Sequence, residues 1–540
     1  MKAIKNIGLV VFITGLIFFT GSIFTGSFNV SERALETFLN SKNYKNELIA
    51  NELKKAIQTN EDLTIFEFSN RVRKAYKAAN DHYERLIDKY DSEKNWDKKG
   101  EQYQYKIYGK PHTLSFELAK IAGTGPTKDD PGLYWWLTFG LGILGALLFI
   151  IPSRWLSGNS GIKNNGIYFE SSTSKGLVAW LVLFYLVGFY LLLYFMPDYV
   201  VNWTFIFDPI SNFLNGSNAS QWFVYGFLYC VIMLVMAVRM YIKYRHNKYQ
   251  IIRTTSVLFF QIVFAFLIPE IMTSLNMPGY DFKNAFPLDY DFFFDWNLDK
   301  LNTSGAIGLF ILVWGILLTL IIVPVMVYFF GKRWYCSWVC GCGGLAETLG
   351  DPYRQHSDKS LKAWKLERWL IHSVLVFSLV MTLVTLYCYF TGTSSFLGIH
   401  SQWIKDTYSF FIGAWFAGVI GTGFYPIFGN RVWCRFGCPL AAYLGLVQRF
   451  KSRFRITTNG GQCISCGNCS TYCEQGIDVR AYAQKGENIV RSSCVGCGIC
   501  SAVCPRGVLK LENGPEKGRI NPTEILLGND VDLMNLVNNK

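Results

Sequence analysis

Charge is scarce in this chain of 540 residues: Asp, Glu, Lys and Arg make up 17%, against 51% hydrophobic residues. That scarcity excludes an ordinary soluble protein of this size and suits a membrane bundle with one or two small soluble domains. Histidine is rarer still. No Cys-x-x-Cys-His occurs, and His372 is the one histidine inside an apolar stretch, so a bis-histidine haem in the bundle would lack its partner. The long loops read as exported contain no cysteine, whereas most cysteines fall after residue 335 in segments read as cytoplasmic or membrane-bound. Reducing surroundings and regular spacing point away from disulfides and towards metal ligation. The net charge of +13 raises nucleic acid as a partner. The basic residues, however, sit mostly in short loops beside apolar stretches, which is the mark of membrane topology, so lipid and no nucleic acid is the expectation.

Eight stretches are long and apolar enough to cross a core of ~30 Å, which takes ~20 helical residues. They cover residues 7–25, 133–152, 177–197, 221–242, 254–274, 306–330, 369–390 and 408–428. The first lacks an Ala-x-Ala-like cleavage site and reads as a retained anchor. Lys and Arg crowd alternate short loops: Arg154, Lys163 and Lys175; Arg239, Lys243, Arg245, Lys248 and Arg253; and Lys332 through Arg368. Segment 198–220 has neither residue. The positive-inside rule then predicts a multi-pass protein of the bacterial inner (cytoplasmic) membrane with both termini cytoplasmic.

The expected organisation is an anchor at 1–25, an extracytoplasmic, mostly helical domain at 26–132, a membrane bundle at 133–445, a ferredoxin domain at 446–515 and a tail at 516–540. Within 26–132, helices are predicted from Ser31, over Glu47 to Lys55 and over Phe66 to Tyr90, by apolar residues at 3–4 spacing. Ala122-Gly-Thr-Gly-Pro-Thr127 looks loosely like a flavin-esterification context but reads better as a Gly/Pro turn.

The strongest chemistry is near the C-terminus. Cys463-x2-Cys466-x2-Cys469-x3-Cys473 is followed by Cys494-x2-Cys497-x2-Cys500-x3-Cys504-Pro505. Three cysteines at this spacing wrap one face of an iron–sulfur cube, and the fourth of each run closes the cluster of the other. The pattern assigns Cys463, Cys466, Cys469 and Cys504 to one [4Fe–4S] cluster and Cys494, Cys497, Cys500 and Cys473 to a second. Zinc sites favour paired cysteines instead. Gly467, Gly496 and Gly498 suit tight turning around a cluster. Glu474 stands where the second run has Pro505. Closed clusters of this kind conduct electrons and leave no open position for substrate, so no catalytic residue is assigned. The fold class is therefore an α-helical membrane bundle of about eight spans carrying an α+β two-cluster ferredoxin domain.

Two further motifs follow the sixth and eighth stretches: Trp334-Tyr-Cys336-Ser-Trp-Val-Cys340-Gly-Cys342, and Trp433-Cys434-Arg-Phe-Gly-Cys438-Pro439. On a helix, cysteines four apart would share a face. Cys336, Cys340, Cys434 and Cys438 then form a candidate four-thiolate redox or metal site at the membrane edge, a third metal or Fe–S centre. Lys332, Arg333, Arg431 and Arg435 are at hand to favour thiolates. The alternative is free thiols at helix ends, which two matched pairs disfavour. Cys342 has no counterpart, and Cys230 and Cys388 read as packing residues.

Over about 306–515 the chain resembles the NosR/NapH/CcoG-type membrane polyferredoxins, which pair two C-x3-C motifs beside spans with a two-cluster ferredoxin. Cys438-Pro439 fits the pattern of that family, and Cys340-Gly341-Cys342 departs from it. The resemblance implies an electron-transfer protein linking a cytoplasmic or quinone-pool donor to a membrane or extracytoplasmic acceptor, with redox proteins, quinone or copper as partners. It equally allows a copper reductase or assembly factor for a respiratory enzyme. A redox-sensing regulator is a third reading.

Overall fold

The computed structural model describes residues 1–41, 47–57, 62–93, 111–152, 155, 175–459 and 462–514. The tail expected at 516–540, and Arg154 and Lys163 of the topology argument, lie outside them. Two compact units emerge: residues 1–149 with 189–227, and 150–188 with 228–540.

Among the described residues seven helices, not eight, are long and apolar enough to span a membrane: Lys2–Phe24, Pro131–Ile150, Leu177–Phe195, Gln221–Lys243, Lys248–Ser274, Gly305–Phe330 and Leu361–Thr391. Each coincides with an expected stretch. The eighth, 408–428, is helical from 401 to 423 but breaks at Phe424. Asp406, Ser409, Thr422 and four glycines dilute its apolar character, which is why it falls outside the seven.

In the first unit the N-terminal helix packs on the second span through small residues. A Cβ at Gly8 would lie 2.6 Å from Phe149 N, and one at Gly145 would lie 2.3 Å from Phe12 N, so glycine is what lets the backbones close. Among the described residues of 26–132 the helices are Glu32–Ser41, Glu47–Ile57, Ile65–Ser92 and Pro111–Ala122, covering the stretches where helices were expected. Ser31 Oγ accepts from Ala34 N at the first of these. Leu35, Leu53, Ile57, Phe68, Val72 and Leu118 are its buried core. Gly123–Thr124 pairs with Ser27–Phe28 and Gly125 takes φ 113°, so the Gly/Pro segment is indeed a turn.

In the second unit, the ferredoxin domain is closed by an antiparallel pair, Arg455–Thr458 against Leu509–Glu512, in the register Arg455↔Glu512 to Thr458↔Leu509. This pairing brings together the two ends of the domain, so that both cysteine runs are held between them. Cys230 and Cys388 are buried within their helices, consistent with packing, while His372 is exposed on Leu361–Thr391.

Candidate functional site

The two cysteine runs build two matching cavities. One is lined by Cys463, Cys466, Cys469 and Cys504. The other is lined by Cys473, Cys494, Cys497 and Cys500. In each cavity the fourth cysteine of one run lies with the first three of the other. Gly467 and Gly498 take φ 79° and 74° at the starts of the short helices Asn468–Thr471 and Ile499–Ala502. Ser465 and Gly496 match one another at φ 57° and 59°. These left-handed turns fold each run around its cavity.

Among the described residues, no group of three or more His, Cys, Asp or Glu could hold a single metal ion. Thiols ringing an enclosed space suit a multi-atom cluster better than one zinc. Ile477 N donates to Cys473 Sγ at 3.4 Å, the kind of amide contact that favours a thiolate ligand. Burial pushes the Cys469 thiol up to about 12 and Cys494 up to about 11. Both are protonated at neutral pH unless a metal takes the proton's place. The first cavity opens at the surface, where Cys466 and Ile464 are exposed; Cys494 and Cys500 of the second are buried.

The paired motifs depart from expectation in shape. Cys336 ends the short helix Arg333–Cys336, and Cys340 caps Gly341–Thr348. Cys434 lies in the π-helical turn Trp433–Gly437, and Cys438 caps Pro439–Lys451. The two cysteines of a pair therefore do not share a regular helix face. Each lies in a hairpin that turns back into the bundle and returns as a helix. Gln261 Nε2, midway along Lys248–Ser274, donates to Val339 O at 2.6 Å. Tyr443 OH reaches Thr319 O at 3.2 Å, about 16 Å of helix before the end of Gly305–Phe330. Val339, just before Cys340, therefore packs level with the middle of Lys248–Ser274, while Trp338 bonds Ser256 and Tyr249 nearer the start of that helix.

Both returning helices begin at the second cysteine, so their amide-rich ends meet the thiols. Ala441 N donates to Cys438 Sγ at 3.3 Å, and Cys340 receives bonds from Gly343 N and the Cys342 thiol. Cys336, Cys340, Cys434 and Cys438 share one buried cluster, with Cys342 packed against it. The sequence signal for this arrangement is longer than C-x3-C. Phe330-Gly331-x-Arg333-x-Tyr335-Cys336-x-Trp338-x-Cys340 repeats as Phe428-Gly429-x-Arg431-x-Trp433-Cys434-x-Phe436-x-Cys438. Gly331 and Gly429 both have positive φ, 72° and 90°. Their Cβ atoms would strike Phe454 and Ser357, so each glycine is where a helix reverses into its hairpin.

A buried ionic network joins hairpins and ferredoxin. Glu474, next to Cys473 and 1% exposed, accepts from Arg431 Nε at 2.9 Å, Asn430 Nδ2 at 3.2 Å and Arg354. Burial opposes its charge, yet Arg354 and Arg431 hold its carboxyl below the ordinary range. Arg431 continues to Glu347, to Cys336 O at 3.2 Å and to Cys434 Sγ at 3.6 Å. Arg253 bonds Glu347 and, at 2.9 Å, Cys497 O. Asp351 gathers Arg239, Lys243 and Arg354. The five cations Arg239, Lys243, Arg253, Arg354 and Arg431 outnumber the carboxylates Glu347, Asp351 and Glu474, and such a surplus suits anionic clusters alongside. Of the cations expected beside the thiols, Lys332 and Arg431 are buried there. Arg435 is engaged by Glu367 at 2.7 Å, and Arg333 lies over Phe454. Glu347, Asp351, Arg354 and Gln261 were not foreseen, because nothing in their local spacing marks them.

Ferredoxin and hairpin meet directly. Ser337 Oγ, beside Cys336, donates to Val495 O at 2.8 Å. Tyr249 OH bonds Gly496 O at 2.9 Å and takes Trp338 Nε1 at 3.2 Å. On its other flank, Tyr335 OH donates to Lys283 O at 2.9 Å and accepts from Ala285 N at 3.2 Å.

Comparison with known proteins agrees. Residues 447–509 match the family described as a 4Fe-4S dicluster domain. Residues 309–360 and 410–457, the two hairpin segments, match the family described as a 4Fe-4S binding domain. Iron–sulfur ferredoxin-type domains are therefore present. The chain is 26% identical over 155 residues to YccM of Escherichia coli (strain K12), a protein named for a proposed role in electron transport; the match covers 27% of this chain and 43% of that protein. It is 26% identical over 165 residues to the methylamine utilization ferredoxin-type protein MauN of Methylobacillus flagellatus, covering 29% of this chain and 53% of MauN. The chain thus spans about half the length of these relatives. No solved structure matches.

Proposed function

We propose that this chain is a membrane-bound iron–sulfur electron conductor of the NosR/NapH/CcoG type, with both termini cytoplasmic, passing electrons between a cytoplasmic or quinone-pool donor and an acceptor in or beyond the membrane. Cys463, Cys466, Cys469 and Cys504 hold an outer [4Fe–4S] cluster, and Cys473, Cys494, Cys497 and Cys500 an inner one. Cys336, Cys340, Cys434 and Cys438 hold a third within the bundle. When bound, such clusters supply reversible one-electron chemistry. The protein's own residues do the rest: the exposed rim at Ile464 and Cys466 admits a donor, amides and buried cations favour the ligating thiolates, and packed side chains exclude water around the hairpins.

The observation that carries this reading is the Ser337–Val495 hydrogen bond, which joins the neighbour of Cys336 to the loop between Cys494 and Cys497. A single hop from a cytoplasmic ferredoxin across ~30 Å of hydrocarbon is implausible. A thiol site packed among the spans would divide that distance, and the contact of Tyr335 with Lys283–Ala285 leads from it to the 275–305 loop, read as exported.

The test is iron and sulfide analysis with EPR of purified protein, followed by reconstitution into vesicles with ferricyanide trapped inside and dithionite outside. The expected result is about 12 irons per chain, from three four-iron clusters, and reduction of the trapped oxidant. Iron near eight together with silent vesicles would defeat the reading.

A further inference from the structure

Lys332 is the buried cation that the network leaves out. It follows Gly331 as the first residue of the first hairpin and is 2% exposed. Its backbone N–H donates to Gln448 Oε1 at 2.6 Å, and its ammonium donates to Ser492 O at 3.3 Å. Gln448 Nε2 in turn bonds Arg491 O and Cys494 O, each at 2.9 Å, so the seat is rigid. Among the described residues Lys332 makes no salt bridge. By contrast Arg253, Arg354, Arg431, Arg435 and Lys243, all buried nearby, each have a carboxylate.

Burying an unpaired ammonium costs several kcal/mol, so a counter-charge is required. The thiols nearest along its contacts are Cys336, whose N–H donates to Lys332 O at 3.0 Å, and Cys494, two residues beyond Ser492 and bonded by the same Gln448. Its counterpart in the repeated motif is Asn430, which bonds Glu474 and carries no charge. The cation has been placed on the one hairpin that faces residues 492–495.

We propose that Lys332 is a positioning residue whose ammonium is the shared counter-charge of the inner ferredoxin cluster and the hairpin cluster, raising both reduction potentials together. This rests on the three-cluster reading above. A fixed positive charge between two anionic centres stabilises the more negative, reduced form of each, and neither residue that Lys332 bonds through side chain or N–H lines the outer cavity.

The test is an EPR-monitored redox titration of the full chain with its clusters in place, comparing wild type with Lys332→Met and Lys332→Arg. The expected result is a fall in the potentials of the inner and hairpin clusters in K332M, an unmoved outer cluster, and near-wild-type values in K332R. Unmoved inner and hairpin potentials would overturn the proposal. So would a K332R variant as low as K332M, or an outer cluster that shifts equally, since either outcome means altered packing and not lost charge. If K332M does not assemble, Lys332→Gln keeps a donor to Ser492 and carries the same expectations. Should the wild type lack a hairpin cluster, the three-cluster reading fails while the inner cluster still decides the role of Lys332: a fall upholds it and no change refutes it.

Discussion

The ferredoxin domain and the hairpin site hold sulfur ligands in opposite ways. The ferredoxin takes three ligands of each cavity from one short run and builds the turn locally, with left-handed residues at 465, 467, 496 and 498. The hairpins contribute two thiols each, from segments nearly a hundred residues apart, and need the surrounding helices to bring them together. A short run can encode its own cavity. A divided site must borrow its geometry from the bundle, so its supporting residues, such as Gln261 and Tyr443, carry no cysteine-like signature. On the proposed function the two regions would also differ in role, the local module meeting the donor and the divided site relaying electrons from it.

The hardest blow to that comparison is Cys434→Ala. If one cluster is shared by both hairpins, iron should drop by about four per chain while both ferredoxin signals persist. Electron transfer to oxidant inside vesicles should fall to the level of protein-free vesicles. Retained iron with unchanged flux would mean that the hairpins hold no relay.

Next in size is the joint between the two regions. Glu474→Ala takes from buried Arg431 and Arg354 one of the two carboxylates each holds, leaving Glu347 and Asp351. Breaking such a buried ion pair costs up to about 3–5 kcal/mol. Thermal unfolding and limited proteolysis of the purified protein should show a loosened ferredoxin domain. A loss below about 1 kcal/mol would demote Glu474 to an incidental replacement of proline.

The two cysteine runs, the helices within 26–132 and seven of the spans were legible because each rests on a local regularity: ligand spacing, 3–4 apolar periodicity, or uninterrupted apolarity. The eighth stretch was harder to judge, since its glycines permit the close packing of Gly413 on Tyr290 and of Gly421 on Trp433 while lowering its hydrophobicity. The local shape of the paired motifs was not legible: cysteines four apart suggest one helix face until it is known that Gly331 and Gly429 reverse the chain. The purpose of Glu474 was equally hidden, because its partners Arg354 and Arg431 are 120 and 43 residues away.

A smaller effect separates the ferredoxin thiols from an ordinary cysteine. With Cys469 held up near 12 and Cys494 near 11, the thiolate fraction below those values rises about tenfold per pH unit. Cluster reconstitution of the apoprotein from iron and sulfide, followed by absorbance, should therefore run faster at pH 8.5 than at pH 7. A rate that ignores pH would show that ligand deprotonation is not limiting.

The smallest expected change is at Cys342, and it sharpens the comparison most. The ferredoxin cavities have four thiols each, whereas the hairpin site has a fifth. If Cys340 is a ligand, the Cys342 thiol stands outside the cluster and donates a hydrogen bond to the Cys340 sulfur. Such donors raise a cluster's potential by spreading the charge on its ligand. Cys342→Ala should then keep the full iron content and lower the potential of the hairpin cluster alone, while Cys340→Ala should lose that cluster. If C342A loses the iron and C340A keeps it, the two residues exchange roles: the first hairpin would supply its second ligand two residues later than the second hairpin does, and the repeat would be broken at the atom that matters most to it.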